Sequence, residues 1–357
     1  MRAIILLALL AALGWAKETL FVVQREFSAL STIEEGKVIG WVKNLRNLNH
    51  GVVKFEGKDG YLISRDGYVI KFDPIKRVKV KEYRTSQSAI GFIVEPDFLA
   101  VANYDDKTVE ILDRDLNPLQ KIETGSKNVG IKAYKDYLAF SLMDKDQLWV
   151  MKNVKRAGKA HFERVHVIEQ AGIAPFDAMI RGDEYIVGFF RSPHFGVLNV
   201  ETGHYRKIGL NNREGKPVLK VPHFGFWSIA KERIFIPAVG DSQVHVFNPE
   251  FKPIGSVEVA GNPVFTSLSP DEKLMAVTFS GEAFPVVQIL DTQKMAVIKT
   301  LRFDGSILHV RWSEEEPLLF LSDNTSNQMI ALNTRTWERA YEVTVRTPSG
   351  IFIHKEP

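Results

Sequence analysis

Residues 98–113, FLAVANYDDKTVEILD, place two apolar alternations on either side of a polar break. Period-two alternation with turn residues between the halves is the pattern of a β-hairpin. The same pattern recurs at residues 61–73 (YLISRDGYVIKFD), 137–152 (YLAFSLMDKDQLWVMK), 233–248 (RIFIPAVGDSQVHVFN) and 318–333 (LLFLSDNTSNQMIALN). Each hairpin follows a turn-rich segment and a short apolar strand. Those first strands begin near Val52, Gly91, Gly130, Asp177, Phe226, Phe265 and His309, at spacings of roughly 39 to 49 residues. A period of that length with about four short strands per unit is the signature of a β-propeller.

Seven units are complete, and the two ends supply an eighth. Residues 349–353 (SGIFI) read as a first strand with nothing after it, and residues 20–24, 27–33 and 37–43 as second, third and fourth strands with nothing before them. The expected fold is an all-β, eight-bladed propeller closed by pairing of the N-terminal strands with the C-terminal strand. Closure removes the sheet edges that an open array would leave unpaired. Seven blades with a loose N-terminal hairpin is the alternative. Residues 17–357 are expected to form this single domain.

Residues 1–16 read as a secretory signal: Arg2 precedes an apolar run from Ala3 to Leu13 that is too short to cross a bilayer, and Ala16 ends the segment. An exported, soluble protein with no membrane span follows as the expectation. Apolar content of 45%, charged content of 25% and a net charge of +3 describe an ordinary globular surface without the basic runs of a nucleic-acid binder. The cysteine count is zero, which excludes disulfides, thiol catalysis, a c-type haem attached through cysteines and lipidation at an N-terminal cysteine.

In a propeller the segment entering each first strand and the loop between second and third strands share one face, because the chain runs away along strand one and returns along strand two. One rim is therefore expected to collect His50, Asn128, Asp177, His223 and Pro263 from entering segments. It also gains Arg65-Asp66, Asn103-Tyr104-Asp105, Asp144, Arg191 and Asp241 from hairpin loops. Polar groups converging on an apolar funnel are the makeup of a ligand site. Many of the Asp and Asn residues are ordinary turn formers.

Several segments resemble the NirF-type proteins of d1-haem biosynthesis, relatives of the d1-haem propeller of cytochrome cd1 nitrite reductase. They include residues 49–55 (NHGVVKF), 64–67 (SRDG), 100–104 (AVANY), 140–144 (FSLMD), 175–179 (PFDAM), 261–265 (GNPVF) and 348–352 (PSGIF), in family order along nearly the whole chain. The resemblance implies a periplasmic protein that binds d1 haem or its late precursor, non-covalently, at the channel mouth. It assigns His50 as the iron ligand, Arg65 as a partner of a haem carboxylate, and His223 and Asp144 as candidate catalytic proton-transfer groups. Arg191, Asp177 and Tyr104 complete the expected binding set. Other periplasmic d1-haem maturation proteins or the nitrite reductase are the expected partners. Catalysis of a late side-chain modification and simple carriage both stay open, and an unrelated propeller hydrolase or scaffold is the further alternative. Val264 stands where the nitrite reductases have a second distal histidine, and no cysteine can hold a c-type haem, so the resemblance points away from nitrite reduction.

Overall fold

A computed structural model describes residues 18–49, 51–219, 227–279 and 285–355, which form thirty-two strands in eight four-stranded sheets. No helix occurs among the described residues. Blades 1 to 7 are contiguous and occupy residues 52–84, 89–123, 128–168, 175–209, 228–258, 263–302 and 307–344. Each runs outward from a first strand beside the axis. The eighth blade is composite. Pro348–Lys355 is its innermost strand, and Glu18–Gln24, Ala29–Glu34 and Lys37–Val42 follow it outward. Glu18–Gln24 lies antiparallel to Pro348–Lys355 with Glu18 opposite Lys355, Phe21 opposite Phe352 and Val22 opposite Ile351. The expected closure of the ring by the two chain ends is therefore the one the structure has, with a longer C-terminal strand than the pattern indicated.

The core sits between blades rather than within them. Eight clusters of buried apolar side chains each join two neighbouring blades. Val22, Ile33 and Ile351 of the closing blade meet Phe320 and Met329 of blade 7 on one side. Phe21, Leu30 and Val42 meet Leu62, Ile70 and Phe72 of blade 1 on the other. The middle strands are buried on both faces, which is why they read as near-continuous apolar runs, whereas the outermost strands alternate.

The first strands depart from the sequence reading in one systematic way. Where the pattern starts them at Gly91, Gly130, Asp177, Phe265 and His309, they start two residues earlier, at Ala89, Asn128, Pro175, Pro263 and Ile307. In all five the register breaks within the first few residues. An irregularity of this kind interrupts alternation, so the period-two signal becomes visible only beyond it. At Gly130, with φ of +62°, a Cβ would come within 2.8 Å of the Phe176 carbonyl oxygen of blade 4, so the approach of the two strands needs glycine there. The expected start at Phe226 falls outside the described residues. The strand seen in blade 5 is Ser228–Ile229.

One imidazole ties the closing strand to blade 7. His309 Nδ1 accepts the Ile351 N–H at 3.2 Å. Burial, with Arg311 nearby, pushes its pKa down to about 4, so the ring is neutral and able to accept at ordinary pH.

Two outcomes follow. Deleting residues 348–357 opens the ring and should lower the midpoint of thermal unfolding sharply; a truncated chain that melts like the full-length one would refute closure as the source of stability. The unfolded His309 takes up a proton near pH 6.5 and the folded one only near 4, so the unfolded state binds more protons in that interval. Stability is therefore expected to fall as pH drops from about 6.5 to 4. Thermal unfolding at stepped pH should show part of that slope disappear in His309→Gln.

Candidate functional site

The two kinds of segment expected to share a rim are bonded to each other, blade by blade. Hairpin loops donate backbone N–H groups to the segments that enter the same blade: Arg65 to Asn47, Tyr104 to Ser88, Met143 to Lys127 and Arg25 to Thr347, at 2.8 to 3.1 Å. A buried polar layer supports these loops. Thr85 Oγ1 donates to Asn103 Oδ1 at 2.9 Å, and Asn103 Nδ2 to Thr108 Oγ1 at 3.0 Å. Asn128 Nδ2 donates to the Asn103 and Thr108 carbonyls at 3.3 and 3.1 Å, so this expected rim residue is a strut between blades 2 and 3.

On that frame, Arg65, Tyr104 and Asp144 form one arc across blades 1, 2 and 3. The Arg65 guanidinium donates through Nη1 to Ser88 Oγ and lies 5.9 Å from the Tyr104 ring centroid. Lys127 Nζ sits 5.1 Å from the same ring, and Tyr104 Oη donates to Met143 Sδ at 3.7 Å. Asp144 closes the arc: its Oδ2 accepts the Lys127 N–H at 3.1 Å and lies 3.6 Å from Lys107 Nζ, while its own N–H donates to Ser126 Oγ at 2.9 Å. A phenol ring flanked by two cations is a platform for an anionic aromatic ligand.

The other expected residues lie elsewhere. Asp177 sits in the irregular stretch that opens Pro175–Arg181 and faces Lys132 of blade 3, Nζ to Oδ1 4.0 Å, on the channel wall. Arg191 is on the hairpin loop of blade 4 with an exposed side chain, its N–H donating to Ile173 O at 3.3 Å. Asp241 is committed to His245, 3.2 Å away and buried. Val264 is the second residue of Pro263–Leu268, inside its register break. His50 and His223 fall outside the described residues. The segments that carry them enter blades 1 and 5, which are half a turn apart in the ring.

Several cations escaped the sequence reading. Arg25 and Arg46 line an open cleft of about 670 Å³ where the closing blade meets blade 1, with Asn47 and Asn49 of the segment that leads to position 50. Arg25 Nε donates to Asn49 Oδ1 at 2.9 Å. Arg46 pairs with Glu82 and covers the Tyr68 ring at 4.2 Å. Deeper down, Lys54 and Lys132 stand on first strands. A lysine inside a short apolar first strand was the available signal for both.

A ring of eight blades whose mouth is lined by cations around an aromatic platform defines a ligand-binding propeller. The family described as the cytochrome D1 heme domain matches residues 17–356, and the chain belongs to it. It is 29% identical to protein NirF of Pseudomonas aeruginosa over 334 residues, covering 87% of this chain and 84% of that protein. It is 26% identical to protein NirF of Stutzerimonas stutzeri over 357 residues, covering 93% and 90%. The expected likeness to NirF-type proteins is borne out. Among solved structures, dihydro-heme d1 dehydrogenase NirN in complex with DHE superposes with a TM-score of 0.80 at 18% identity, covering 94% of this chain and 74% of that one. Apo AztD from Citrobacter koseri gives 0.69 at 12% identity, covering 95% and 98%. At these identities the structural likenesses speak for the fold.

The arc makes its own prediction. Asp144→Ala removes the acceptor of the Lys127 N–H, at a cost of about 1 kcal/mol. Hydrogen exchange at Lys127 should quicken while exchange in the middle strands is unchanged; an unaltered Lys127 rate would show that the carboxylate does not hold the loop.

Proposed function

We propose that this chain is a periplasmic protein of d1-haem biosynthesis that holds d1 haem, or its late precursor, non-covalently over the rim of the channel. The observation that carries the reading is the arc of Arg65, Tyr104, Lys127 and Asp144 on one rim of a cytochrome D1 heme domain propeller. The donor set fits the group. A d1-type macrocycle has several carboxylates, and guanidinium and ammonium groups pair with carboxylates strongly where water is scarce. Arg65 and Lys127 would take such carboxylates at the edge of the ring, with Arg191 on the next blade along. Tyr104 would pack against the macrocycle.

When bound, the group would supply an iron centre able to take an imidazole nitrogen. His50 is the residue proposed to hold that iron through a neutral imidazole nitrogen. His223, on the segment that leads into blade 5, would act as hydrogen-bond donor or proton carrier. Asp144 would serve proton transfer at the rim. Export is proposed from the apolar N-terminal run, and periplasmic maturation proteins or a nitrite reductase as the recipients of the haem.

Pure carriage is the second reading, and the engagement of Asp144 by Lys107 and by the Lys127 N–H favours it, since both contacts anchor the carboxylate in the rim. Mixing the purified protein with the late precursor separates the two: a changed tetrapyrrole mass identifies a catalyst, and tight binding with an unchanged mass identifies a carrier.

The binding claim is tested by titration with d1 haem and with b-type haem, followed by visible spectroscopy. Binding of d1 haem should be the tighter, and Arg65→Ala should narrow the difference; equal affinities in the wild type would remove the role of the rim cations. His50→Ala should lose the strong-field signature, while His223→Ala keeps most of the binding. The reverse pattern would overturn the ligand assignment.

A further inference from the structure

The connection from the closing blade to blade 1 carries position 50, and the described residues on both sides of that position are pinned. Leu45 and Leu48 are buried in the cluster between the two blades. The Leu45 N–H donates to Ser28 O of the closing blade, and the Gly51 N–H to Leu48 O, both at 2.9 Å. The Asn47 N–H donates to Asp66 Oδ1 at 3.3 Å, and Asn47 O accepts the Arg65 N–H at 2.8 Å. The Asn49 N–H donates to Asn47 Oδ1 at 2.9 Å, the turn an asparagine makes with backbone two residues on. All of these bonds use at least one backbone group and so follow the path of the chain.

One contact is of another kind. Arg25, on the hairpin loop of the closing blade, reaches Asn49 side chain to side chain. Its Nε donates to Asn49 Oδ1 at 2.9 Å, and its Nη2 donates to the same oxygen. The Arg25 N–H donates to Thr347 O at 3.1 Å, so the guanidinium starts from a loop anchored in the ring. Both side chains line the cleft at this seam. The seam itself does not depend on the pair. The ladder of Glu18–Gln24 with Pro348–Lys355 and the clusters on both faces of the closing blade hold it. What the pair adds is direction at residue 49, because a rigid guanidinium fork with two N–H groups on one oxygen leaves the amide little freedom. Residue 49 is the one directly before the candidate iron ligand.

We propose that Arg25 is a positioning residue: through Asn49 it fixes the backbone that leads into position 50, and so the direction from which the His50 imidazole meets the iron of the tetrapyrrole. The inference rests on the function proposed above, which supplies His50 as the ligand. It makes the N-terminal hairpin of the composite blade part of the binding site as well as of the closure.

The test uses the full-length chain, unloaded and loaded with d1 haem. In the unloaded protein, Arg25→Ala should quicken hydrogen exchange at the Asn49 amide about fivefold, the factor for one lost hydrogen bond, with the middle strands unchanged. In the loaded protein, d1-haem affinity should change little, because the rim cations still hold the macrocycle. The ratio of strong-field to weak-field forms in the visible spectrum should fall about fivefold. Asn49→Leu, which keeps the size and removes the acceptor, should do the same. The double variant should do no more than either single one, since the two residues act as one pair. Asn49→Asp, which keeps the acceptor, should retain the wild-type signature. A wild-type signature in both Arg25→Ala and Asn49→Leu would overturn the positioning role. So would a fall in melting midpoint and d1-haem affinity with the signature of the remaining complex intact, which is the behaviour of a merely structural tether. If His50→Ala keeps the signature, the ligand assignment fails and the positioning role with it. If His50→Ala loses the signature and Arg25→Ala does not, the positioning role fails alone.

Discussion

The whole molecule hangs on one antiparallel pairing, Glu18–Gln24 against Pro348–Lys355. A propeller blade has no core of its own; its apolar faces are buried only by the blades on either side. Each of the eight clusters spans such a boundary, so an open chain of seven blades would expose the outer faces of its first and last members. Pairing the two ends makes a composite blade that covers both. Val22 and Ile351 bury themselves against blade 7, while Phe21, the residue before Val22 in the same strand, packs against blade 1. Alternation along one strand thus serves two neighbours. His309 adds a hydrogen bond to the same seam, at the Ile351 N–H.

Closure also creates the candidate site. The rim is not built by any one blade. Arg65, Tyr104 and Asp144 come from loops about forty residues apart; Arg65 and Lys127 approach the Tyr104 ring, and the Lys127 N–H reaches Asp144, because neighbouring blades are held edge to edge at the axis. The register breaks at the start of the first strands lie at this end of the channel, and in one of them Asp177 faces Lys132 of the neighbouring blade. Blades 1 and 5 are opposite members of the ring.

Sequence alone carried the architecture far, because a propeller is written as a repeat. Alternation in stretches such as residues 98–113, with turn residues at regular intervals, located the hairpins. The complementary gaps at the two ends located the closure. Five of the first-strand starts were misplaced by two residues because a register break has no period to read, while Val52 was placed correctly. The site was legible in part. Arg65, Tyr104 and Asp144 could be put on one rim from strand direction alone, since direction decides which loops share a face. Their mutual contacts could not, because side-chain reach across blades depends on packing. Lys54 was passed over for a physical reason: a lone lysine in a strand usually lies on a solvated face, whereas this one lies over the ring of Phe92 in the neighbouring blade. Asp241, read mainly as a turn former, has its carboxylate taken by His245.

The central claim is that one rim, spanned from blade 1 to the blade opposite, holds an iron tetrapyrrole. Anomalous scattering at the iron edge from crystals of the d1-haem complex tests it most directly. The account predicts a single iron on the rim formed by the hairpin loops and entering segments, bound at the imidazole of His50, with the macrocycle edge on Arg65 and Tyr104. Iron on the opposite face, or outside the ring of blades, would contradict it.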